Sequence, residues 1–365
     1  MKRNLRRNKK GQIQGVDFAL AMIIFMIMFA EVIVLSLTFL EPKYQNLEDK
    51  AFESRADQIS DAFFASTGYP STWEYDYNSQ FYSFGLREIG SSDIDANKIS
   101  WLNPLGLYHL SYESLKRNLS REDNIGFQFR VESLFDLDTQ LSLAQQTGSI
   151  DIDASIGDCT TWSFVIAPNN TVIFTQRSKT DGVGHETINF GTGAGVLPSG
   201  YYTLVVFAKS PDGIFATDIT NVIIGTETNY GLKLIVQEVS NNNGKAVIRT
   251  SNAGSLSSLG IISVFPYSIG NELLGNDSTV VNSPGTSEVF NLRIPTNGTC
   301  VVLLTGDSLA GFSRRAFQFP TMLSEEYRTI FGANSLPENK EIVKIERIVV
   351  IRECIFKAVL YVWAD

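Results

Sequence analysis

The sequence predicts an α+β protein that is mostly β, with one long apolar helix near its N-terminus. Two observations indicate this division. Residues 18–40 contain a single charged side chain, Glu31, and neither Gly nor Pro, so they can form one continuous helix. After residue 68 the chain consists largely of short apolar runs separated by Asn, Gly, Ser and Pro, which is typical of strands joined by turns. We therefore expect a helix followed by a β-rich body.

Residues 12–40 are predicted to cross a membrane. As a helix, residues 18–40 extend about 34 Å, which exceeds the about 30 Å of a hydrocarbon core. Residues 1–11 carry six of the thirty Lys and Arg and no acid, whereas both signs of charge follow residue 40. The positive-inside rule therefore places the N-terminus in the cytoplasm and the β-rich body outside the cell. We expect the helix to be retained, because no small-residue signal cleavage site follows it.

The helical pattern resumes after a proline and extends the predicted helix to residues 12–66. Pro42 stands at the outer membrane boundary, where it is expected to kink the helix or to mark a break. Beyond it, apolar residues recur at spacings of three, four and seven, with charged residues between them. We interpret residues 42–66 as an amphipathic continuation that ends at Thr67-Gly68.

The junction Lys9-Lys10-Gly11-Gln12, placed just before the apolar helix, resembles the class III signal peptide of archaeal type IV pilin-like proteins. The resemblance implies that a prepilin peptidase cleaves between Gly11 and Gln12, so that residues 1–11 are a basic leader peptide. It also implies that the mature helix assembles into a filament with copies of itself or with other pilins, on a pilus assembly platform in the membrane.

Three residues of the helix are predicted to act in filament assembly. Leu20 matches the family's leucine at the ninth mature position, whereas Val16 occupies the position of the family's acid and Asp17 follows one place later. Glu31 lies fourteen residues after Asp17, about 21 Å along the helix and about 40° around it, so both acids share one side. A carboxylate buried among helices needs a partner, such as the N-terminal ammonium of a neighbouring subunit. A protonated or hydrogen-bonded Glu31 with no further role is an equal alternative.

Two segments far apart in the sequence are predicted to form one small domain. The motif Gly68-Tyr-Pro-Ser-Thr-Trp73, a helical pattern over 112–119 and an alternating strand over 125–134 resemble the membrane-proximal part of archaeal pilin-like proteins. In that family a hairpin ending in Trp follows closely, and here such a hairpin appears only near the C-terminus. We therefore expect residues 68–145 and 320–365 to build one pilin-like α+β domain that is interrupted by an insertion.

The insertion carries an internal repeat. Residues 197–215 resemble residues 294–312, and their matched positions stand at a constant offset of 98, with Gly200 matching Gly298 and Val205 matching Leu303. Short strands every 8–12 residues predict β-sandwiches. We expect two tandem immunoglobulin-like domains, at residues 146–227 and 228–319, although fibronectin-like or other sandwiches would leave the same pattern.

Residue types that commonly carry chemistry are sparse. The chain has two histidines and three cysteines, with no CxxC pair and no metal-ligand spacing. His185 is expected at the surface and His109 half-buried, and neither stands in a sequence context that defines a catalytic triad. Either Cys159 and Cys300 form a disulfide, which requires the two sandwiches to abut and leaves Cys354 unpaired, or all three are free buried thiols, which we favour.

Two further patterns resemble ligand sites but lack the required context. Residues 191–195 read Gly-Thr-Gly-Ala-Gly, but a proline and a strand follow instead of the helix that a phosphate loop needs. Asp151, Asp153 and Asp158 lack the glycine and the bidentate glutamate of a calcium loop. We therefore expect no catalytic residue, no metal and no cofactor, and a protein that is not an enzyme.

Four Asn-x-Ser/Thr sequons lie in the part of the chain that is predicted to be extracellular. Each is expected to be a glycosylation site. Their acceptor residues are Asn118, Asn169, Asn276 and Asn297.

These observations predict a structural subunit of an archaeal type IV pilus-like surface filament, assembled through the N-terminal helix and displaying a β-rich adhesive head. The alternative is an uncleaved, single-pass surface protein whose immunoglobulin-like domains bind a ligand. The formal charge of −9 becomes more negative without the basic leader, so nucleic acid is not an expected partner.

Overall fold

The computed structural model describes residues 5–75, 82–102, 110–119, 125–144, 146–191, 197–225, 235–242, 245–251, 258–266, 276–281, 287–293, 298–308, 311–319, 331–333 and 335–364. His109, Asn297 and residues 192–195 of the glycine-rich run lie outside these ranges. The chain divides into two units, residues 1–58 and residues 59–365.

Three α-helices and one 3₁₀ turn precede eighteen strands among the described residues. The helices are α1 (Leu5–Phe64), α2 (Ala96–Ser100) and α3 (Tyr112–Leu119), and the 3₁₀ turn is Trp73–Tyr75. The strands are β1 (Ile125–Glu132), β2 (Leu137–Leu143), β3 (Thr147–Ala154), β4 (Thr160–Ile166), β5 (Val172–Lys179), β6 (His185–Gly191), β7 (Gly200–Lys209), β8 (Phe215–Ile224), β9 (Ile235–Asn242), β10 (Lys245–Ser251), β11 (Ser258–Val264), β12 (Asn276–Val281), β13 (Ser287–Arg293), β14 (Cys300–Ser308), β15 (Gly311–Phe319), β16 (Phe331–Gly332), β17 (Ile342–Ile351) and β18 (Cys354–Ala364).

Helix α1 is continuous over 60 residues and differs from the prediction at two points. It begins at Leu5, inside the predicted leader, because Gly11 costs a helix only about 1 kcal/mol and does not end it. It also continues through Pro42, so the predicted alternative of a break there is wrong. A proline removes one hydrogen bond and crowds the carbonyl four residues earlier, but the hydrogen-bond ladder can resume on either side of it.

The second unit begins with the end of α1 packed on an antiparallel sheet, and we call this part the base domain. Its sheet has the strand order β16-β1-β18-β17, so residues 125–132 pair with residues 357–364 along their whole length. The two segments that the sequence analysis assigns to one domain therefore share this sheet. Phe63 fixes the end of α1 against it, with ring centroids 5.7 Å from Phe127, 5.0 Å from Phe129 and 4.9 Å from Phe84.

A buried lysine closes the loops that follow α1. Lys98 is fully buried, and its Nζ donates to the carbonyls of Thr67 at 2.8 Å and Arg87 at 2.9 Å. Glu74 supplies the opposite charge, with its Oε2 at 3.9 Å from the same Nζ. Burial lowers the pKa of Lys98 and raises the pKa of Glu74, because each charge has left water. This ammonium joins three segments of the base domain.

The insertion consists of two repeats with identical topology. In the first, β2-β3-β6 form a three-stranded sheet (outer sheet 1) and β5-β4-β7-β8 a four-stranded sheet (inner sheet 1). In the second, β9, β10 and β13 form the corresponding outer sheet 2, and β12-β11-β14-β15 form inner sheet 2. These are immunoglobulin- or fibronectin-like sandwiches. In each repeat the first strand belongs to the three-stranded sheet. In a constant-type immunoglobulin domain the first strand belongs to the four-stranded sheet instead.

The boundary predicted at residues 145/146 is wrong. Strand β2 pairs with β3 along its whole length, from Leu137 opposite Ala154 to Leu143 opposite Gly148, so the first sandwich begins by residue 137. The error arose because β2 alternates apolar and polar residues much as β1 does. A period-2 pattern identifies a strand but not the sheet that it joins.

A tyrosine corner marks the start of β7 in the first sandwich. Tyr202 is fully buried, and its hydroxyl donates to the carbonyl of Pro198 at 2.8 Å. This bond ties the strand to the segment before it, as in immunoglobulin-type sandwiches. The repeat offset of 98 places Cys300 at the corresponding position of the second sandwich, where a thiol replaces the phenol.

The two sandwiches pack against each other through their inner sheets, and we call this interface the seam. Side chains of β4 and β7 form one buried cluster with side chains of β11, β14 and β15: Trp162, Phe164, Ile166, Val205 and Phe207 on one side, and Ile262, Val264, Val301, Leu303 and Ala316 on the other. The offset of 98 relates Phe164 to Ile262 and Val205 to Leu303. Both repeats therefore present the same face, as in an isologous dimer.

Arg314 of β15 joins the two sandwiches with hydrogen bonds. Its guanidinium donates across the seam to the carbonyl of Ala167 at 2.7 Å and to the hydroxyl of Thr203 at 2.8 Å. It also contacts Asn170 Oδ1 at 3.2 Å, and the same Oδ1 accepts a hydrogen bond from Thr305 of the second sandwich. The apolar seam thus has a polar border that fixes how the two sheets align.

We predict that Arg314→Ala destabilises the protein by on the order of 3 kcal/mol, because several buried acceptors lose their donor. Urea unfolding followed by tryptophan fluorescence measures the change. Arg347→Ala is the matched control, because Arg347 is exposed on β17, and it should cost less than about 0.5 kcal/mol. Equal stability of the two variants would contradict the role of Arg314.

We predict that Tyr202→Phe costs about 1–2 kcal/mol, because the carbonyl of Pro198 loses its buried donor while packing is retained. Thermal unfolding monitored by circular dichroism provides the measurement. Tyr69→Phe serves as control, since Tyr69 is 65% exposed, and it should leave stability unchanged. A loss in the control as large as that in Tyr202→Phe would argue against the corner.

Candidate functional site

The first candidate site is the apolar part of α1. Residues Asp17–Thr38 form a 22-residue stretch that is long and apolar enough to cross a membrane, and none of it is buried within the protein. Leu20 is 58% exposed, and Asp17 and Glu31 are exposed as well. An apolar surface of this size requires a cover of lipid or of other apolar helices.

The residues predicted for processing and assembly all lie on this one helix. Gly11 and Gln12 are in its helical N-terminal part. Because α1 is continuous, Asp17 and Glu31 keep the common side that their spacing predicts. The apolar stretch, residues 17–38, contains Asp17 and Glu31 as its charged residues.

The second candidate site is the outward surface of outer sheet 1, which we call the polar face. Cross-strand pairing arranges nine side chains in three rows of three on β2, β3 and β6. The rows are Asp138, Asp153 and His185; Gln140, Asp151 and Thr187; and Ser142, Ser149 and Asn189. Inner sheet 1 has no comparable free surface, because one of its faces packs on outer sheet 1 and the other on the seam.

Two hydrogen-bonded pairs organise the polar face. His185 Nδ1 lies 2.8 Å from Asp153 Oδ1, and Thr187 Oγ1 donates to Asp151 Oδ1 at 2.8 Å. The Thr187 hydroxyl is also 3.4 Å from His185 Nε2. An acid, a histidine and a hydroxyl in this order occur in nucleophilic triads. Here the hydroxyl proton points to Asp151 and the group is exposed, which suits recognition of a polar partner better than nucleophilic attack.

Sequence reasoning missed this group. Asp153 and His185 are separated by 32 residues, and only the register of β3 with β6 brings them together. The alternation of Asp151 and Asp153 with buried isoleucines did indicate a solvated strand face. Asp158 does not join them, because it lies in a turn with φ of 60° and pairs with Lys179 at 2.6 Å. Among the described residues, no three His, Cys, Asp or Glu side chains converge on a metal-sized site.

The three cysteines are free and buried. The alternative disulfide between Cys159 and Cys300 is therefore wrong, although the two sandwiches do abut. Burial raises the pKa of Cys300 and of Cys354 to about 12, and it raises the pKa of Cys159 as well. Because the thiolate is the reactive form, these thiols are unreactive at neutral pH.

The predicted glycosylation residues occupy different kinds of structure. Asn118 is in α3, Asn169 is in the turn between β4 and β5, and Asn276 is the first residue of β12. Their backbone conformations therefore differ.

No protein-family model matches the chain, and a comparison with curated proteins returned no match. Among solved structures, the chain is similar to a segment of two fibronectin type III domains from chicken tenascin, with 12% identity, a TM-score of 0.17 and coverage of 52% of this chain and 98% of the other. It is also similar to a tetra-tandem repeat in the extending region of a large adhesion protein, with 14% identity, a TM-score of 0.22 and coverage of 60% and 53%.

A third similar structure is the transglutaminase of red sea bream, with 13% identity and a TM-score of 0.18 over 49% of this chain and 30% of the other. The chain thus spans only about half of the adhesion protein's repeat and less than a third of the transglutaminase. At these identities and TM-scores, the similarities say nothing about what this chain binds or does.

We predict that the pKa of His185 lies above its usual range and that Asp153→Asn lowers it, because the hydrogen bond to Asp153 is the main cause of the shift. The stabilisation from this pair is complete below about pH 6.5, the unfolded value, and is lost as pH rises through the folded pKa. Imidazole NMR signals of the two histidines, assigned with His185→Gln, give the measurement. Asp158→Asn is the control, and an unchanged pKa in Asp153→Asn would contradict the pairing.

Proposed function

We propose that the protein is a membrane-anchored surface protein that displays β-sandwich domains for adhesion. The observation that carries this proposal is the exposed 22-residue apolar stretch of α1. The same uninterrupted helix also contains Phe63, which packs into the base domain. The proposed anchor and the first residues of the β-rich body thus belong to one helix in the sequence.

The finer proposal is a subunit of an archaeal type IV pilus-like filament. It rests on the resemblance of the Gly11-Gln12 junction to a class III signal peptide and is supported by the exposed apolar surface that follows. Prepilin peptidase would remove residues 1–11, and the helices of neighbouring subunits would then cover that surface. Asp17 and Glu31 would find partners among those helices, since an isolated carboxylate in an apolar bundle is costly.

A second candidate function is favoured by the polar face. An uncleaved single-pass protein would keep α1 in the membrane and bind a ligand through its sandwiches without any filament. The polar face is the exposed surface of the first sandwich on which hydrogen-bonding groups are ordered, with Asp151 paired to Thr187 and Asp153 paired to His185. Both candidates place the β-rich body outside the cell.

The N-terminus of the mature protein separates these functions. Edman or mass-spectrometric sequencing of protein isolated from membranes or surface filaments should find Gln12 first if the pilus proposal is correct. An N-terminus at Met1 would support the single-pass alternative. A mature chain that begins after Thr38 would exclude both, because the apolar helix would then be a removed signal sequence.

We predict that Gly11→Val prevents processing and filament assembly, because a bulky side chain at the cleavage position would block the peptidase. Immunoblots should show only the longer precursor, and electron microscopy should show no filaments that contain the variant. Asn8→Ala, a change in the leader three residues earlier, should be processed normally. Normal filaments from Gly11→Val would refute the cleavage proposal.

A further inference from the structure

Three of the sequon asparagines lie in described structure, and the fold holds them in three different ways. Transfer of an oligosaccharide requires the Asn amide nitrogen to be accessible. It also requires the Ser or Thr hydroxyl two residues later to lie close to that amide, because the transferase recognises the two side chains together. The three sites can therefore be compared by the contacts of their amides and by their backbones.

Asn169 meets both requirements. It is exposed in the turn between β4 and β5, and its Oδ1 accepts hydrogen bonds from Thr171 N at 3.2 Å and from Thr171 Oγ1 at 2.7 Å. This Asx turn brings the amide and the hydroxyl together and directs Nδ2 away from the backbone. Within the described part of the chain, no group accepts a hydrogen bond from that Nδ2.

The seam holds this turn in place. Asn170, the middle residue of the sequon, is only 8% exposed and has a positive φ of 63°. Its side chain contacts Thr305 and Arg314 of the second sandwich. The turn is closed by Ala167 N, which donates to the carbonyl of Thr171 at 2.8 Å. The acceptor is thus presented on a fixed turn, next to a residue that the seam buries.

Asn118 fails the first requirement, because hydrogen bonds within the fold engage its amide. Its Oδ1 accepts from Phe84 N at 3.1 Å, and its Nδ2 donates to the carbonyl of Tyr82 at 3.4 Å, so both ends of the amide hold the chain segment beside α3. It is the penultimate residue of that helix.

Asn276 fails on backbone conformation. It pairs with Val264 at the start of β12, and Ser278 pairs with Ile262 in the same ladder. In a strand, residues i and i+2 are about 7 Å apart along the chain. An extended backbone of this kind does not form the turn that brings Thr171 to Asn169.

We propose that Asn169 is the N-glycosylation acceptor among these three sites, and that the folded protein is not modified at Asn118 or Asn276. The donor class is an oligosaccharide on a lipid phosphate carrier. A bond forms between Asn169 Nδ2 and the anomeric carbon while the bond from that carbon to the phosphate oxygen breaks. The lipid phosphate leaves with the electron pair, and the amide proton passes to a base of the transferase. The proposal does not depend on filament assembly.

The test uses the folded full-length protein in detergent, in an Asn297→Gln background, with a single-subunit oligosaccharyltransferase and lipid-linked oligosaccharide. The enzyme is one that modifies synthetic peptides of residues 116–122, 167–173 and 274–280, so the unfolded sequons act as positive controls. Intact mass should show one glycan per chain, which peptide mapping assigns to Asn169. Asn169→Gln and Thr171→Val should each abolish the addition.

Two outcomes would overturn the proposal. One is a folded protein that gains no glycan although the 167–173 peptide is modified. The other is a glycan on Asn118 or Asn276 of the folded protein. Circular dichroism of Thr171→Val, which retains Asn169, checks that a loss of glycan reflects the missing hydroxyl rather than unfolding.

Discussion

Burial of inner sheet 1 on both faces is the constraint on which the rest of the insertion depends. One face supplies the core of the first sandwich through Val165 and Leu204, and the other supplies the seam through Phe164 and Val205. Consecutive residues of β4 and β7 are therefore mostly apolar, and the buried Thr203 of β7 is hydrogen-bonded to Asn221. That constraint explains the near-continuous apolar runs in these strands, which resemble strands of parallel sheets more than strands of an ordinary sandwich.

The polar groups at the seam have a different role from the apolar ones. Apolar contact is not directional, so it would allow the two inner sheets to slide or rotate. The guanidinium of Arg314 has donors in fixed positions, and it meets acceptors that belong to the β4–β5 turn and to β7. The hydrogen bonds therefore select one alignment. They also explain why the turn that contains Asn170 adopts a conformation with positive φ: its side chain is held from the other sandwich.

The sequence was most informative where structure is local. The apolar helix follows from residues 18–40 alone, and the repeat offset of 98 correctly indicates two units of the same kind. Long-range register was not accessible. Strand β2 was assigned to the wrong domain, and the pairing of Asp153 with His185 was not foreseen, because the strands on either side of a loop can combine in several ways that a pattern does not distinguish. At Pro42 the sequence left a kink and a break as alternatives, since helix propensity gives the cost of one residue but not the stability of the helix around it.

The base sheet also determines what the insertion can become. The chain leaves this sheet after β1 and returns to it at β16, where Phe331 is paired directly with Phe129 of β1. Exit and re-entry are therefore on neighbouring strands, a distance that a hairpin loop of a few residues can cover. The intervening residues can be lengthened, shortened or exchanged as a cassette without changing the sheet that holds α1. The sandwich insertion can thus vary while the sheet that holds the end of α1 remains constant.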